Sequence, residues 1–221
     1  MLLIYAILAG FVIEVLTGAW TDPEKLARLG AIVPQWINHG EVWRLLTAMF
    51  LHGDGTRGGT LLHLGVNLVA LFQLGSLYEL MFGTRRFVIV YFVTGIAASI
   101  TSYLHNIGPS VGASGAIFGI LGAFIFSVRR SPRWRHERAA HSIVKQLLFW
   151  IAVNLVIGAT IPQIDLAAHI GGLVAGLLLG AILPHRVPPP PPAHTVVDVM
   201  PYDAGPVGGP VEQTDDRSWR E

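Results

Sequence analysis

The sequence lacks cysteine and is poor in charge. None of its 221 residues is cysteine, which excludes disulfide bonds, thiolate metal sites and a cysteine nucleophile. Charged residues make up 13% of the chain and hydrophobic residues 52%, whereas a typical soluble domain has about 25% charged residues. The formal net charge is only +1, and no basic block with interleaved aromatic residues points to nucleic acid as a partner. The composition therefore predicts a polytopic membrane protein.

Six apolar segments predict six transmembrane helices and hence an all-α fold. The first begins without a basic region, and no clean Ala-x-Ala cleavage site follows it, so it is interpreted as a retained helix rather than a signal peptide. The predicted spans are residues 2–16, 61–81, 87–104, 114–128, 146–161 and 166–183. Together they define a predicted six-helix bundle over residues 1–185.

The basic residues predict how the bundle is oriented. Nine of them follow spans two, four and six, and four lie on the other side. The positive-inside rule places the larger group in the cytoplasm. Both termini are then predicted to be cytoplasmic, and the first loop, residues 19–60, to lie outside. The expected location is the inner (plasma) membrane. Residues 186–221 contain an unbroken proline run, Pro188 to Pro192, and predict a disordered cytoplasmic tail. The nine are Arg85, Arg86, Arg129, Arg130, Arg133, Arg135, Arg138, Lys145 and Arg186, and the four are Lys25, Arg28, Arg44 and Arg57.

A serine among small residues opens the fourth span. Counted from Gly115 to Val128, this helix measures about 21 Å at ~1.5 Å per residue, which is shorter than the ~30 Å hydrocarbon core of a bilayer. Its Ser114 end is therefore predicted to lie within the membrane. The segment before it, residues 106–112, is predicted to be irregular backbone, which survives there only in protein or beside a water-filled cavity. Because a helix N-terminus favours a developing oxyanion, Ser114 is a candidate nucleophile.

Polar residues of two other spans are predicted to lie at the depth of Ser114. Spans two, four and six run in the same direction. Span two opens with His63 and Asn67 on one helix face, and His169 lies about one turn into span six. His169 is the candidate base, and His63, Asn67 and the backbone N–H of Ser114 are candidate oxyanion donors. For any one of these side chains alone, a structural hydrogen bond between helices is the competing interpretation.

Glycine spacing predicts that spans four and six pack closely. Span six has glycine at four-residue intervals, and span four has a similar series. Such small faces let helix backbones approach, which would bring Ser114 Oγ within reach of an imidazole. Ordinary tight packing is the alternative for the glycines by themselves. The two series are Gly172, Gly176 and Gly180, and Gly115, Gly119 and Gly122.

Two further segments carry predictions of their own. The glycine-rich residues 53–59 predict a flexible hinge before span two.

Asp165 lies four residues before His169 and could share its helix face. Its place at the helix start nevertheless predicts an N-cap, screened by water, rather than the acid of a catalytic triad.

These residues resemble motifs of the rhomboid family of intramembrane serine proteases. Residues 112–115 read GASG and resemble its GxSG nucleophile motif, and residues 63–67 read HLGVN and resemble its HxxxN element. Residues 168–176 read AHIGGLVAG and resemble its AHxxGxxxG helix, and residues 43–44 resemble its tryptophan–arginine pair. The four motifs occur in order, and the resemblance covers roughly residues 1–185, the six-helix form common in bacteria.

The resemblance implies a function. A Ser114–His169 dyad would cleave single-pass membrane proteins, in or near their transmembrane segments, without metal or cofactor. Gly112, Phe118 and Gly172 would support the site. Bacterial relatives often have tyrosine at the position of Phe118, stacked under the dyad histidine, and phenylalanine keeps the stacking face without the hydroxyl.

Two other classes of function compete with this interpretation. A catalytically inactive rhomboid-like protein that binds membrane clients would be expected to lack the serine or the histidine, and this chain has both. A metal-dependent membrane protein could use His52, His63, His105 and His169. However, the sequence has no His-Glu-x-x-His motif, and no carboxylate has ligand-like spacing from two histidines. The sequence makes no prediction of oligomeric state.

Overall fold

The computed structural model describes residues 2–105, 108–132, 134–161 and 164–183. Within these ranges the chain is helical, without a β-strand, and the all-α prediction is confirmed. A short 3-10 turn, Ala48–Phe50, precedes α5, and a π-helical turn, Leu71–Gly75, joins α5 to α6. The helices are α1 Leu2–Thr17, α2 Pro23–Leu29, α3 Pro34–Asn38, α4 Arg44–Thr47, α5 Arg57–Ala70, α6 Ser76–Phe82, α7 Thr84–His105, α8 Ser114–Arg130, α9 Arg138–Thr160 and α10 Leu166–Ile182.

All six predicted spans correspond to helices. The continuous segment Arg57–Phe82, α7 and α9 are long and apolar enough to cross a membrane, and α1 and α10 are shorter apolar helices. The fifth span begins at Arg138 rather than at residue 146, because Arg138, His141 and Lys145 interrupt the apolar residues of its first two turns and lower their mean hydropathy. The predicted tail, residues 186–221, lies outside the described residues.

Helix α8 forms the centre of the bundle. Thirteen of its 17 residues are buried, as expected for a helix that is apolar on every side. It packs chiefly against α10 and α7. At ~1.5 Å per residue it measures about 26 Å, so it remains shorter than the ~30 Å core of a bilayer.

The glycines of α10 lie directly against the backbone of α8. A β-carbon added at Gly172 would overlap the carbonyl oxygen of Gly115, and one added at Gly176 would overlap that of Gly119. At Gly180 the added atom would come within 2.7 Å of the Ala123 carbonyl oxygen. The predicted close packing of the two helices is therefore present, and it is a contact of glycine with peptide carbonyls.

The glycines of α8 serve two neighbours. A β-carbon at Gly115 would overlap Ala98 of α7, and one at Gly119 would overlap Thr94 of the same helix. At Gly122 it would lie 2.5 Å from the Leu173 carbonyl oxygen of α10. The sequence predicted a single smooth face toward the sixth span. Instead, α8 lies between α7 and α10, and at these three glycines it has no room for a side chain.

The first loop is organised by Arg44. Its guanidinium group is buried, stacks on the rings of Trp36 and Trp43 at 4.3 and 4.6 Å from their centroids, and pairs with Glu41 at 2.6 Å. It also donates to the carbonyl oxygen of Ala27 in α2 and, at 3.0 Å, to that of Ala31. Arg44 therefore joins the short helices α2, α3 and α4 into one unit.

The predicted hinge at residues 53–59 is wrong in its second half. Helix α5 already begins at Arg57, and the hydroxyl of Thr56 caps it by accepting the Gly59 N–H at 3.1 Å. Asp54 accepts from the N–H and hydroxyl of Thr56, and the buried Thr60 hydroxyl donates to the Trp20 carbonyl oxygen at 2.7 Å. Capping bonds of this kind outweigh the low helix propensity of glycine.

The glycine–carbonyl contact gives a direct test of packing. Gly176→Ala should destabilise the fold by about 1–3 kcal/mol, the usual cost of forcing extra volume into a packed core. The matched control is Gly65→Ala in α5, where an added β-carbon meets nothing within 4 Å. Equilibrium unfolding in detergent measures both variants, and equal stability would contradict the observed packing.

Candidate active site

Ser114 and His169 meet where two helices begin. Ser114 is the first residue of α8, and His169 is buried in the first turn of α10. The distance from Ser114 Oγ to His169 Nε2 is 2.9 Å, which is a hydrogen bond. The structure thus places the candidate nucleophile and the candidate base in direct contact.

The segment that leads to Ser114 is held by the first loop. Ser110 and Ile32 form an isolated antiparallel bridge, with N–O distances of 2.9 and 3.2 Å. The Gly112 N–H donates to the Ala48 carbonyl oxygen at 2.9 Å. Gly112 has φ +129°, and a β-carbon there would lie 2.8 Å from His63 Nε2. Only glycine fits at this position, because both the conformation and the neighbouring ring exclude a side chain.

Phe118 supports the imidazole ring. It lies one turn after Ser114 on α8, and its ring is parallel to that of His169, with centroids 4.3 Å apart and an interplanar angle of 11°. Among the described residues, His169 Nδ1 has no hydrogen-bond partner. The ring is therefore held by stacking and by its contact with Ser114, in the arrangement that the sequence predicted for Phe118.

Asp165 makes no hydrogen bond to the imidazole of His169. It caps α10, with Oδ1 accepting the Ala168 N–H at 2.9 Å, so the N-cap prediction is confirmed. Its other oxygen accepts from the hydroxyls of Ser110, at 2.7 Å, and Ser102. The carboxylate is half-buried and bonded on both oxygens rather than only screened by water. It links three parts of the chain, namely α7, the segment before α8, and the start of α10. The imidazole is instead stacked on Phe118.

His63 lies against Gly112, two residues before Ser114, and its tautomer is fixed by the backbone. Its Nδ1 is 3.1 Å from the His52 carbonyl oxygen, which can only accept, so Nδ1 carries the proton. The neutral ring then has its lone pair on Nε2, the atom that faces Gly112. The donor role predicted for His63 therefore requires a second proton on its ring.

Asn67 lies one helical turn after His63. Its side chain is buried, and Nδ2 donates to the His63 carbonyl oxygen at 2.8 Å. An amide has two N–H donors, so one remains for the predicted oxyanion role. No hydrogen bond joins Asn67 to Ser114 within the described part of the chain.

Two buried residues of this region were missed by the motifs. His52, in the first loop, accepts the Ala113 N–H on Nε2 at 3.4 Å, and its ring lies 5.1 Å from that of His63. The backbone N–H of His52 donates to Glu14 Oε1 at 2.7 Å. Glu14 had one available signal, since it is an isolated charge in an apolar span. His52 was named only as a possible metal ligand, and nothing in the sequence indicated its contacts here, because they involve residues distant in sequence.

The four histidines named for a metal site do not form one. His52, His63 and His169 surround the segment that carries Ser114, and His105 ends α7. In the ranges that the structure describes, no group of three or more histidine, aspartate or glutamate side chains could hold a metal ion.

The fold and the site together define a class: a polytopic helical membrane protein with a serine–histidine pair inside its bundle. The sequence model of the Rhomboid domain matches residues 39–186. The chain belongs to the rhomboid family.

Curated relatives agree with this assignment. The chain is similar to Rhomboid protease GluP of Bacillus subtilis (strain 168), at 39% identity over 177 residues, covering 80% of this chain and 33% of GluP. It is 35% identical over 161 residues to RHOMBOID-like protein 5 of Arabidopsis thaliana, covering 72% of this chain and 49% of the relative. With Putative rhomboid protease YdcA of the same Bacillus, the identity is 33% over 164 residues, covering 72% and 73%. The chain thus spans a third to a half of the first two relatives and most of the third.

The contacts of Asp165 predict how its variants behave. Under the peptidase function proposed below, Asp165→Asn should keep activity within about tenfold, because asparagine caps helices as well as aspartate does and no carboxylate of the described residues hydrogen-bonds to the imidazole. An acid that orients a catalytic histidine would instead cost about 10,000-fold when amidated. Turnover of a transmembrane substrate measures this, with Asp165→Ala as the variant that loses the cap. A thousandfold loss in folded Asp165→Asn would make the site a triad.

Proposed function

We propose that this chain is an intramembrane serine endopeptidase that cleaves single-pass membrane proteins within or near their transmembrane segments. The observation that carries the proposal is the 2.9 Å contact between Ser114 Oγ and His169 Nε2 at the start of two packed helices. Membership of the rhomboid family and similarity to a relative named as a rhomboid protease support it. No cofactor or metal is needed for this chemistry.

The proposed reaction follows the serine–histidine scheme. As Ser114 Oγ attacks the scissile carbonyl carbon, its proton moves to His169 Nε2, and a tetrahedral intermediate forms. The imidazolium then gives that proton to the leaving amine, and the carbon–nitrogen bond breaks. Water hydrolyses the resulting ester of Ser114, again with His169 as the base.

The proposed oxyanion site lies at the N-terminus of α8. The backbone N–H of Ser114 belongs to the first turn, where peptide N–H groups have no partner inside the helix. The remaining amide proton of Asn67 and a doubly protonated His63 would be the side-chain donors. A single donor of this kind contributes about 3–4 kcal/mol to transition-state binding.

The proposed setting is the plasma membrane, with residues 1–185 as the protease domain. Arg129 and Arg130 lie at the end of α8 opposite Ser114. If these arginines face the cytoplasm, the reactive pair lies toward the outer leaflet and both termini are cytoplasmic. Substrates would enter from the surrounding lipid, and residues 186–221 would be a tail outside the catalytic domain.

Loss of either member of the pair should abolish cleavage. Ser114→Ala and His169→Ala should each be inactive toward a transmembrane substrate in proteoliposomes. The double variant should be no worse than either, since members of one catalytic unit fail together. Ser127→Ala, near the far end of the same helix, is the control and should remain active. Substantial cleavage by folded Ser114→Ala would require another nucleophile and would overturn the proposal.

Substrate choice should follow the ease of local unwinding. A peptide bond inside an α-helix is shielded by its own turns, so the segment must open before Ser114 can attack. Glycine near the scissile bond lowers this cost by about 1 kcal/mol relative to alanine, and proline by about 3 kcal/mol. Transmembrane substrates that differ only at these positions test the effect by their cleavage rates. A polyleucine segment cleaved as fast as its glycine-containing counterpart would refute it.

A further inference from the structure

His52 contacts the site although no sequence motif includes it. It lies in the first loop, between the turn Ala48–Phe50 and helix α5, and its side chain is 0% exposed. Buried polar groups usually have a hydrogen-bond partner. Nδ1 of His52 has none among the described residues, whereas its Nε2, its carbonyl oxygen and its backbone N–H are all bonded. Its partners belong to three separate parts of the molecule.

The first contact is with the residue before the nucleophile. His52 Nε2 accepts the backbone N–H of Ala113 at 3.4 Å. Ala113 is the N-cap residue of α8, and its orientation determines where the next N–H, that of Ser114, points. His52 therefore acts on the proposed backbone donor through a single residue.

The second contact is with His63. The carbonyl oxygen of His52 accepts the Nδ1 proton of His63 at 3.1 Å, and the two rings lie 5.1 Å apart. This bond sets the tautomer of His63 and directs its Nε2 toward Gly112, two residues before Ser114. The same residue thus orients both the backbone and the histidine sides of the proposed oxyanion site.

The third contact anchors His52 itself. Its backbone N–H donates to Oε1 of Glu14 at 2.7 Å, and the Glu14 side chain is also 0% exposed. A β-carbon at Gly53 would lie only 3.1 Å from Glu14 Oε2, so the carboxylate is packed closely under this turn. Burial, with a smaller contribution from His63, lowers the pKa of His52 to about 3. A neutral ring keeps on Nε2 the lone pair that the Ala113 bond requires.

We propose that His52 is a positioning residue for the oxyanion side of the site, holding Ser114 through Ala113. The inference rests on the proposed peptidase function. An oxyanion forms only in the transition state, so weaker positioning should lower kcat and leave KM nearly unchanged. If His52 only stabilised the fold, its replacement would lower thermal stability without lowering kcat selectively relative to KM.

Two substitutions isolate the side-chain contact. His52→Phe keeps a buried ring but has no acceptor for the Ala113 N–H, whereas His52→Gln keeps a polar side chain with an acceptor oxygen. Both retain the carbonyl oxygen bonded to His63 and the N–H bonded to Glu14. The matched control is Tyr78→Phe, another fully buried ring, on α6.

The measurements are kcat and KM for a transmembrane substrate in proteoliposomes, with thermal unfolding in parallel. His52→Phe should lower kcat by about 10- to 1,000-fold, at most the ~1,000-fold loss that follows removal of an oxyanion donor, with KM little changed. His52→Gln should recover part of this loss, and Tyr78→Phe should keep the original kcat. An unchanged kcat in folded His52→Phe, or a loss confined to KM, would overturn the proposal.

A second measurement needs neither turnover nor a variant. In the unmodified protein, 15N NMR of the histidine rings should show His52 Nε2 unprotonated and hydrogen-bonded to the Ala113 amide. A protonated Nε2, or an Ala113 amide that exchanges freely with water, would overturn the proposed contact even if His52→Phe failed to fold. Because this readout is independent of cleavage, it separates failure of the positioning role from failure of the proposed function, which an active Ser114→Ala would reveal.

Discussion

The contact on which the site depends is that of the α10 glycines with the carbonyl oxygens of α8. Gly172 lies against Gly115, and Gly176 against Gly119, so the two helices share a four-residue register. Ser114 comes one residue before the first of these α8 positions, and His169 comes three residues before the first on α10. The register that the glycines fix is therefore the one that brings Oγ within 2.9 Å of Nε2. A side chain at either α10 glycine would separate the helices and the reactive pair together.

A second set of contacts places the nucleophile along its own helix. Residues 110, 112 and 113 are each bonded to the first loop, through Ile32, Ala48 and His52 respectively. The first loop is in turn made compact by the buried guanidinium of Arg44. Four hydrogen bonds over the four residues before Ser114 leave that segment little freedom, although it is irregular backbone. The packing of α8 and α10 brings Ser114 and His169 together, and the first loop fixes the backbone that leads to Ser114.

Much of the fold could be predicted because hydropathy and glycine spacing are local signals. Hydropathy predicted the six helical segments, and glycine spacing predicted that spans four and six pack closely. The starts of α5 and α9 were misplaced, since the Thr56 cap gives no apolar signal and charged residues interrupt the apolar ones in the first turns of α9. The sequence could not predict which helix each glycine of α8 contacts, because that depends on which neighbour lies on which side of α8.

In the site, the positions of three residues could be predicted from sequence spacing. Ser114 and Phe118 lie one turn apart on α8, and His169 lies on α10, whose glycines are in register with those of α8. His52 could not, since its partners Glu14 and Ala113 are 38 and 61 residues away. The serine partners of Asp165 were hidden for the same reason. The pattern located the polar residues of the spans, whereas the hydrogen bonds that orient them depend on how the loops fold back.

The most direct measurement of the central claim is covalent labelling of the intact protein in membranes with a fluorophosphonate, followed by peptide mass spectrometry. Such a reagent reacts with a serine whose hydroxyl is activated by a neighbouring base. The account predicts a single adduct on the peptide that contains Ser114, and no adduct on that peptide in the His169→Ala protein. An adduct on a different serine, or labelling of Ser114 that does not depend on His169, would contradict it.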